Sequence, residues 1–151
     1  MGHLTAEIRE FVNKTKLGFV ATVCPDGTPN LSPKGTTIAW DEDHLLFGDI
    51  HSPVTVENVR HNPAIEINVV DVFLRRGFRF KGKAEILSEG SLFERIIDYF
   101  RKAESGFIMK NIVLIRVERV LPILSPAYDT GETEMEIKAR WMGYWEEINR
   151  R

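Results

Sequence analysis

Three stretches of this chain carry residue types that could act together on a ligand. In Asn30-Leu31-Ser32-Pro33-Lys34-Gly35-Thr36, strand alternation places Ser32, Lys34 and Thr36 on one face and Leu31, Pro33 and Gly35 on the other. One face therefore offers a hydroxyl, an ammonium and a second hydroxyl. Pro33 removes a ladder donor and Gly35 a side chain, which marks an edge, a bulge or a place where a flat ligand meets the backbone. The plainer alternative is an edge strand with a solvated polar face.

The second stretch opens with Ser52-Pro53, an N-cap hydroxyl followed by proline at the first helical position. Ser52, Thr55 and Asn58 fall on one side of that helix near its N-terminus, where free N–H groups and the helix dipole favour a phosphate. Simple capping is the competing explanation. In the third stretch, Arg75, Arg79, Lys81 and Lys83 share a strand face opposite Phe78 and Phe80, with Arg76 beside them. Such a face suits a phosphate or, more plainly, solvent. Trp141, Tyr144 and Trp145 near the end of the chain read as packing aromatics, with Trp141 the one placed to stack on a flat cofactor.

Other chemistries find no support. The histidines His3, His44, His51 and His61 form no His-Glu-x-x-His pattern, and neither a glycine-rich phosphate loop nor a Gly-x-Ser-x-Gly elbow occurs. Asp41-Glu42-Asp43 reads as an acidic hairpin turn facing water, so no metal is expected. The single cysteine, Cys24, has no thiol partner for a disulfide or a zinc cluster, which fits a reducing, cytoplasmic compartment. With 20 Lys+Arg against 22 Asp+Glu, the net charge of -2 gives no general pull toward nucleic acid or an anionic membrane, and any anion site must be local. The start of the chain lacks a basic-then-apolar leader pattern, and no run of about 18 apolar residues is present.

A mainly β framework with helices at its joins must position these residues. Leu4, Ile8, Phe11 and Val12 recur at helical spacing, with Gly18 as the expected stop. Phe19 to Val23, Asn30 to Trp40 and His44 to Gly48 read as three antiparallel strands separated by Pro25-Asp26-Gly27 and Asp41-Glu42-Asp43 turns. The Ser52-Pro53 helix ends at Asn62-Pro63, and strands follow around Ile65 to Val70 and Phe78 to Ile86. A helix runs from Ser91 to Lys102, with Ser91 and Glu94 at capping-box spacing, and a sixth strand covers Asn111 to Leu124. A last helix, about 133–151, starts at the Thr133/Glu136 box and carries Ile137, Trp141, Tyr144/Trp145 and Ile148 along one stripe. No repeat or linker divides the 151 residues, and 43% hydrophobic content suffices for one core, so a single small α+β domain built on a six-stranded antiparallel barrel is expected.

In their order and spacing, Ala21-Thr22-Val23, Asp26 through Gly35, Asn58-x-x-x-Asn62-Pro63 and Lys81-Gly82-Lys83-Ala84-Glu85 resemble the pyridoxamine 5'-phosphate oxidase-like FMN-binding split-barrel proteins over roughly Phe11 to Leu124. That resemblance implies a six-stranded split barrel that forms a homodimer, with two FMN sites at the subunit interface. It implies that the strand around Ser32, Pro33, Lys34, Gly35 and Thr36 lines the flavin ring. The segment from Asp49 to Asn58, Ile50, Ser52, Thr55 and Asn58 among it, would meet the ribityl chain and phosphate, with Arg79 and Lys81 as further contacts. The named oxidases end in an Arg-Leu-x-Pro segment and place an Arg-Lys pair where this chain has Val54 and Thr55. Vitamin B6 chemistry is therefore not expected, and phosphate binding shifts to hydroxyls and backbone N–H groups. The expected function is an FMN-dependent oxidoreductase; the alternatives are a flavin carrier or electron-transfer protein and a deazaflavin-dependent reductase.

Overall fold

The computed structural model describes residues 2–103, 106 and 108–151. Helix α1 (Ala6–Thr15) starts at Thr5, whose hydroxyl accepts from the Ile8 N–H at 3.3 Å, and ends at Lys16 in the left-handed region at φ 58°. Gly18, the expected stop, instead opens strand β1 (Gly18–Val23). A Cβ there would lie 2.6 Å from Thr37 Oγ1, so glycine is required for Thr37 to seat against the strand.

The stretch expected as one strand from Asn30 to Trp40 is two. β2 (Pro29–Lys34) pairs with β1, and β3 (Ile38–Ala39) pairs with β4 (His44–Asp49). Between them residues 35–37 turn, held by the Thr37 hydroxyl donating to the Lys34 carbonyl at 2.8 Å. After helix α2 (Pro53–His61) come β5 (Ala64–Asp71), β6 (Arg76–Leu87), helix α3 (Ser91–Lys102) and β7 (Asn111–Leu124). A 3-10 turn (Pro126–Thr130) leads into α4 (Glu134–Asn149). The sheet is thus seven-stranded rather than six-stranded, antiparallel throughout, in the order β2-β1-β5-β6-β7-β4-β3. Its two edges, β2 and β3, are joined by a three-residue turn, so the sheet curls into a barrel whose wall is split between them.

Register assigns the two faces. Ser32 pairs with Val20, Val20 with Ile67 and Ile67 with Phe80, so these four share the inner face. Val20, Ile67, Phe80, Leu45, Phe47, Val113 and Ile115 form the main core there, and Phe11 of α1 plugs it with an edge-on contact to Phe78 at 5.2 Å. Each such fully buried side chain contributes about 1.5–3 kcal/mol. The outer face divides in two. Over β3, β4 and the adjoining ends of β6 and β7, α3 lays Ile96 and Phe100 on Ile38, Leu46, Ile112 and Leu114. Over β2 and β1, Phe19, at 40% exposure, and Leu31, at 69%, meet solvent.

Caps distinguish the helices. The Thr133/Glu136 box of α4 is fully formed. α3 takes Gly90 as its N-cap, making Ser91 the first helical residue, and the expected Ser91 box does not form. Asn13 of α1 closes the β3 edge, its amide bonding the Ala39 N–H at 2.8 Å and the Ala39 carbonyl at 3.4 Å.

Candidate functional site

Lys34 ends β2 on the inner face, and the turn that follows folds its ammonium back toward the start of α2. It is 9% exposed, and its Nζ donates to Ser32 Oγ at 2.8 Å and Ser52 Oγ at 2.7 Å. Two of the three ammonium donors are thereby satisfied, leaving one for a further partner. Desolvation lowers the Lys34 pKa from its ordinary 10.5, and the Asp49 carboxylate opposes that shift. Asp49, 8% exposed, ends β4 opposite Asn111 at the start of β7; one carboxylate oxygen accepts from the Ser52 N–H at 2.9 Å and the other from Asn111 Nδ2 at 3.0 Å. Asp49 thus aims Ser52 at Lys34.

Ser52 holds the N-cap position, but its hydroxyl turns to accept from Lys34 and makes no cap bond to α2. Pro53 has no N–H, and no side chain among the described residues accepts from the first turn. The resulting bare helix start faces a cleft of about 520 Å³ lined by Ile50, His51, Ser52, Arg60, Lys110 and Asn111, among others. Arg60 and Lys110 supply positive charge there, beside Asp49 and Glu57.

The structure therefore gathers Ser32, Lys34, Ser52 and Ile50 around one place. Thr36 stands next to them in the turn, its hydroxyl accepting from the Gly48 N–H at 2.9 Å. Gly35 is exposed in the same turn, with open space where a Cβ would stand. Thr55 and Asn58, both 2% exposed, point instead into the barrel, where Asn58 Nδ2 donates to Thr22 Oγ1 at 3.0 Å. Pro33, Arg79 and Lys81 lie on the outer face, where Glu66 binds Arg79 at 3.0 Å and Lys81 at 3.2 Å. Trp141, on α4, is covered by the Arg75 guanidinium 3.6 Å from its ring centre. Asp49 and Asn111 were missed by sequence reasoning. The one available signal was an aspartate three residues before Ser52, the spacing of a side chain that closes a turn; Asn111 becomes visible only through the β4–β7 register.

A larger recess, about 730 Å³, lies between α3 and the end of β3 and is lined by Trp40, His44, Arg95 and Tyr99 among others, none of them in the expected set. There Asp41 holds His44 Nδ1 at 2.8 Å and also accepts from the Asp43 and His44 N–H groups, so the acidic turn is self-satisfied, and its carboxyl pKa lies below the usual value because these bonds outweigh its desolvation. No cluster of three or more His, Cys, Asp or Glu suited to a metal occurs among the described residues. No helix among them is long and apolar enough to cross a membrane.

The family model for pyridoxamine 5'-phosphate oxidase matches residues 4–123. The chain belongs to the pyridoxamine 5'-phosphate oxidase family. Solved members and neighbours share its split barrel. HupZ of Group A Streptococcus is 33% identical, with a TM-score of 0.73 over 80% of this chain and 94% of that one. An FMN-binding protein from Syntrophomonas wolfei is 18% identical, with a TM-score of 0.69 over 81% of this chain and 87% of that one. A proposed pyridoxamine 5'-phosphate oxidase from Lactobacillus delbrueckii is 24% identical, with a TM-score of 0.67 over 80% and 95%. The last two are likenesses of fold. No curated protein sequence matches this family member.

Proposed function

We propose that this family member is an FMN-dependent oxidoreductase that works as a homodimer. The observation that carries the reading is the buried Lys34 ammonium, held by Ser32 and Ser52 beside the uncapped start of α2. The donors fit the group: a phosphate suits free N–H groups at a helix start flanked by Arg60 and Lys110, and a flavin ring suits a fixed cation that stabilises negative charge. When bound, FMN supplies the electron chemistry, and the protein supplies orientation and charge. Lys34 would hold positive charge in a place water barely reaches, Ser32 and Ser52 would fix its direction, and Asp49 would keep Ser52 in place. Arg79 and Lys81 have no route to this group within one chain. The exposure of Phe19 and Leu31 on the outer face supports a second copy seated there.

The test is the absorbance spectrum and mass of whatever copurifies, followed by titration with FMN. A yellow protein, or one that takes up FMN to one per chain, is the expected result. A chromophore with a deazaflavin spectrum would move the reading to the deazaflavin reductases. A colourless protein that takes up neither would end it.

A further inference from the structure

The recess of about 730 Å³ between α3 and the end of β3 lies apart from the Lys34 site: His44 begins β4 and Asp49 ends it, so about 17 Å of strand separates them. The floor of the recess belongs to two neighbouring rows of the outer sheet face. One row runs through Ile38, Leu46, Leu114 and Glu85 across β3, β4, β7 and β6. The next sets Trp40 beside His44, whose carbonyl accepts from the Trp40 N–H at 2.9 Å. The wall is the side of α3 on which Leu92, Arg95 and Tyr99 fall at steps of three and four. Tyr99 stands edge-on to Trp40 at 5.9 Å between ring centres, and the Arg95 guanidinium lies 5.9 Å from the centre of the same indole.

Two opposite charges line this recess unmatched. Neither Arg95, from the helix, nor Glu85, from the sheet, has an ion pair among the described residues. His44 is fixed by contrast: the Asp41 carboxylate, an acceptor only, takes its Nδ1–H at 2.8 Å and leaves Nε2 as the free ring nitrogen. We propose that the recess is a second ligand site, separate from the Lys34 pocket, that takes a free aromatic α-amino acid. The ring lies against Trp40, Tyr99 and Leu114, the carboxylate meets Arg95, and the ammonium meets Glu85. The zwitterion is favoured over a simple acid or amine because either of those would bring a like charge to Glu85 or to Arg95 and leave the other unmatched. The volume is within the range of small-molecule sites and accommodates a side chain as large as indole. This site needs neither the flavin nor a second copy of the chain.

Titration calorimetry of the full chain with L-tryptophan, indole-3-acetate and tryptamine tests the proposal. Tryptophan should bind, and the two analogues, each lacking one charge, should bind about tenfold or more weakly, the worth of a charge-assisted hydrogen bond. Arg95→Met and Glu85→Gln, both at exposed positions, should each weaken tryptophan binding by a similar factor, and Trp40→Leu should weaken it as well, with circular dichroism melts to establish folding. Added FMN should leave tryptophan binding unchanged. No heat from tryptophan at millimolar concentration, or undiminished binding by folded Arg95→Met, would overturn the site. Indole-3-acetate binding as tightly as tryptophan would overturn the zwitterion, and displacement of tryptophan by FMN would overturn the separation of the two sites.

Discussion

Lys34 and Lys81 belong to the same sheet, and both sit in stretches that read as anion sites, yet the fold treats them in opposite ways. Lys34 is on the inner face at an edge strand, buried, with neutral hydroxyls as its nearest acceptors. Lys81 is on the outer face of a central strand, about half exposed, and shares a carboxylate with Arg79. A surface lysine with an ion-pair partner is cheap to keep and contributes little. A buried ammonium with only hydroxyls in contact costs free energy in the folded chain, and such costs concentrate where a ligand is to be held. The difference lies in strand parity, because one residue of offset moves a side chain to the other face.

Removing the support beneath Lys34 should have the largest effect. Asp49→Ala strips the acceptor from the Ser52 N–H and from Asn111 and takes away the carboxylate that offsets the burial of Lys34. A loss of roughly 2–4 kcal/mol in urea unfolding is expected. If Lys34→Met is added to that variant, a large part of the loss should return; equal losses with and without Lys34 would break the proposed coupling.

Lys34→Met alone should separate binding from stability. FMN affinity, read by fluorescence quenching, should fall by about 10- to 100-fold, the worth of a charge-assisted hydrogen bond. Unfolding free energy should move by less than about 1 kcal/mol, since a buried charge is exchanged for an apolar chain of similar length. Glu66→Gln is the outer-face counterpart: it should cost about 0.2–1 kcal/mol and leave FMN affinity unchanged. A matching drop in affinity would mean that the outer-face cations serve the cofactor after all.

The smallest expected effect is one of pH. The folded-state pKa of Lys34 lies below its ordinary 10.5, so between the two values the unfolded chain binds more protons than the folded one. Stability contributed at this position therefore rises with pH across that window, and below it the cost of the buried charge is fully present. Urea midpoints of the native chain should gain on those of Lys34→Met as pH is raised toward 10.5. A constant gap would show that burial does not tax this ammonium.

Much of the framework was legible because period-two alternation and cap residues are local signals. Phe78 to Ile86 and the Thr133/Glu136 box fall where their spacing puts them. The break in the second strand was hidden because Ser32, Lys34 and Thr36 keep their alternation up to the turn, and the force that turns the chain, Thr37 packing on Gly18, is tertiary. Ser52 misled in a similar way. Its type and position are those of a cap, but its hydroxyl is oriented toward the buried Lys34 ammonium rather than the helix N–H groups, a tertiary contact that local sequence does not carry. Asn58 was legible as a polar residue on the right helix and illegible in direction, since the facing Thr22 comes from β1. The group around Lys34 draws on β2, β4, α2 and β7, and no window of sequence contains it.

The sheet order has a consequence for how the chain comes together. β4 is synthesised early with only the two-residue β3 beside it, and its partner on the barrel side is β7, so that edge of Leu45 and Phe47 stays unpaired until Ile115 and Val113 arrive. On a ribosome the first half of the protein must wait, its apolar strand uncovered, for the last strand to slide between β6 and β4. Asp49 and Asn111 meet at that closing seam, so the support beneath Lys34 is complete only once the β7 strand has docked.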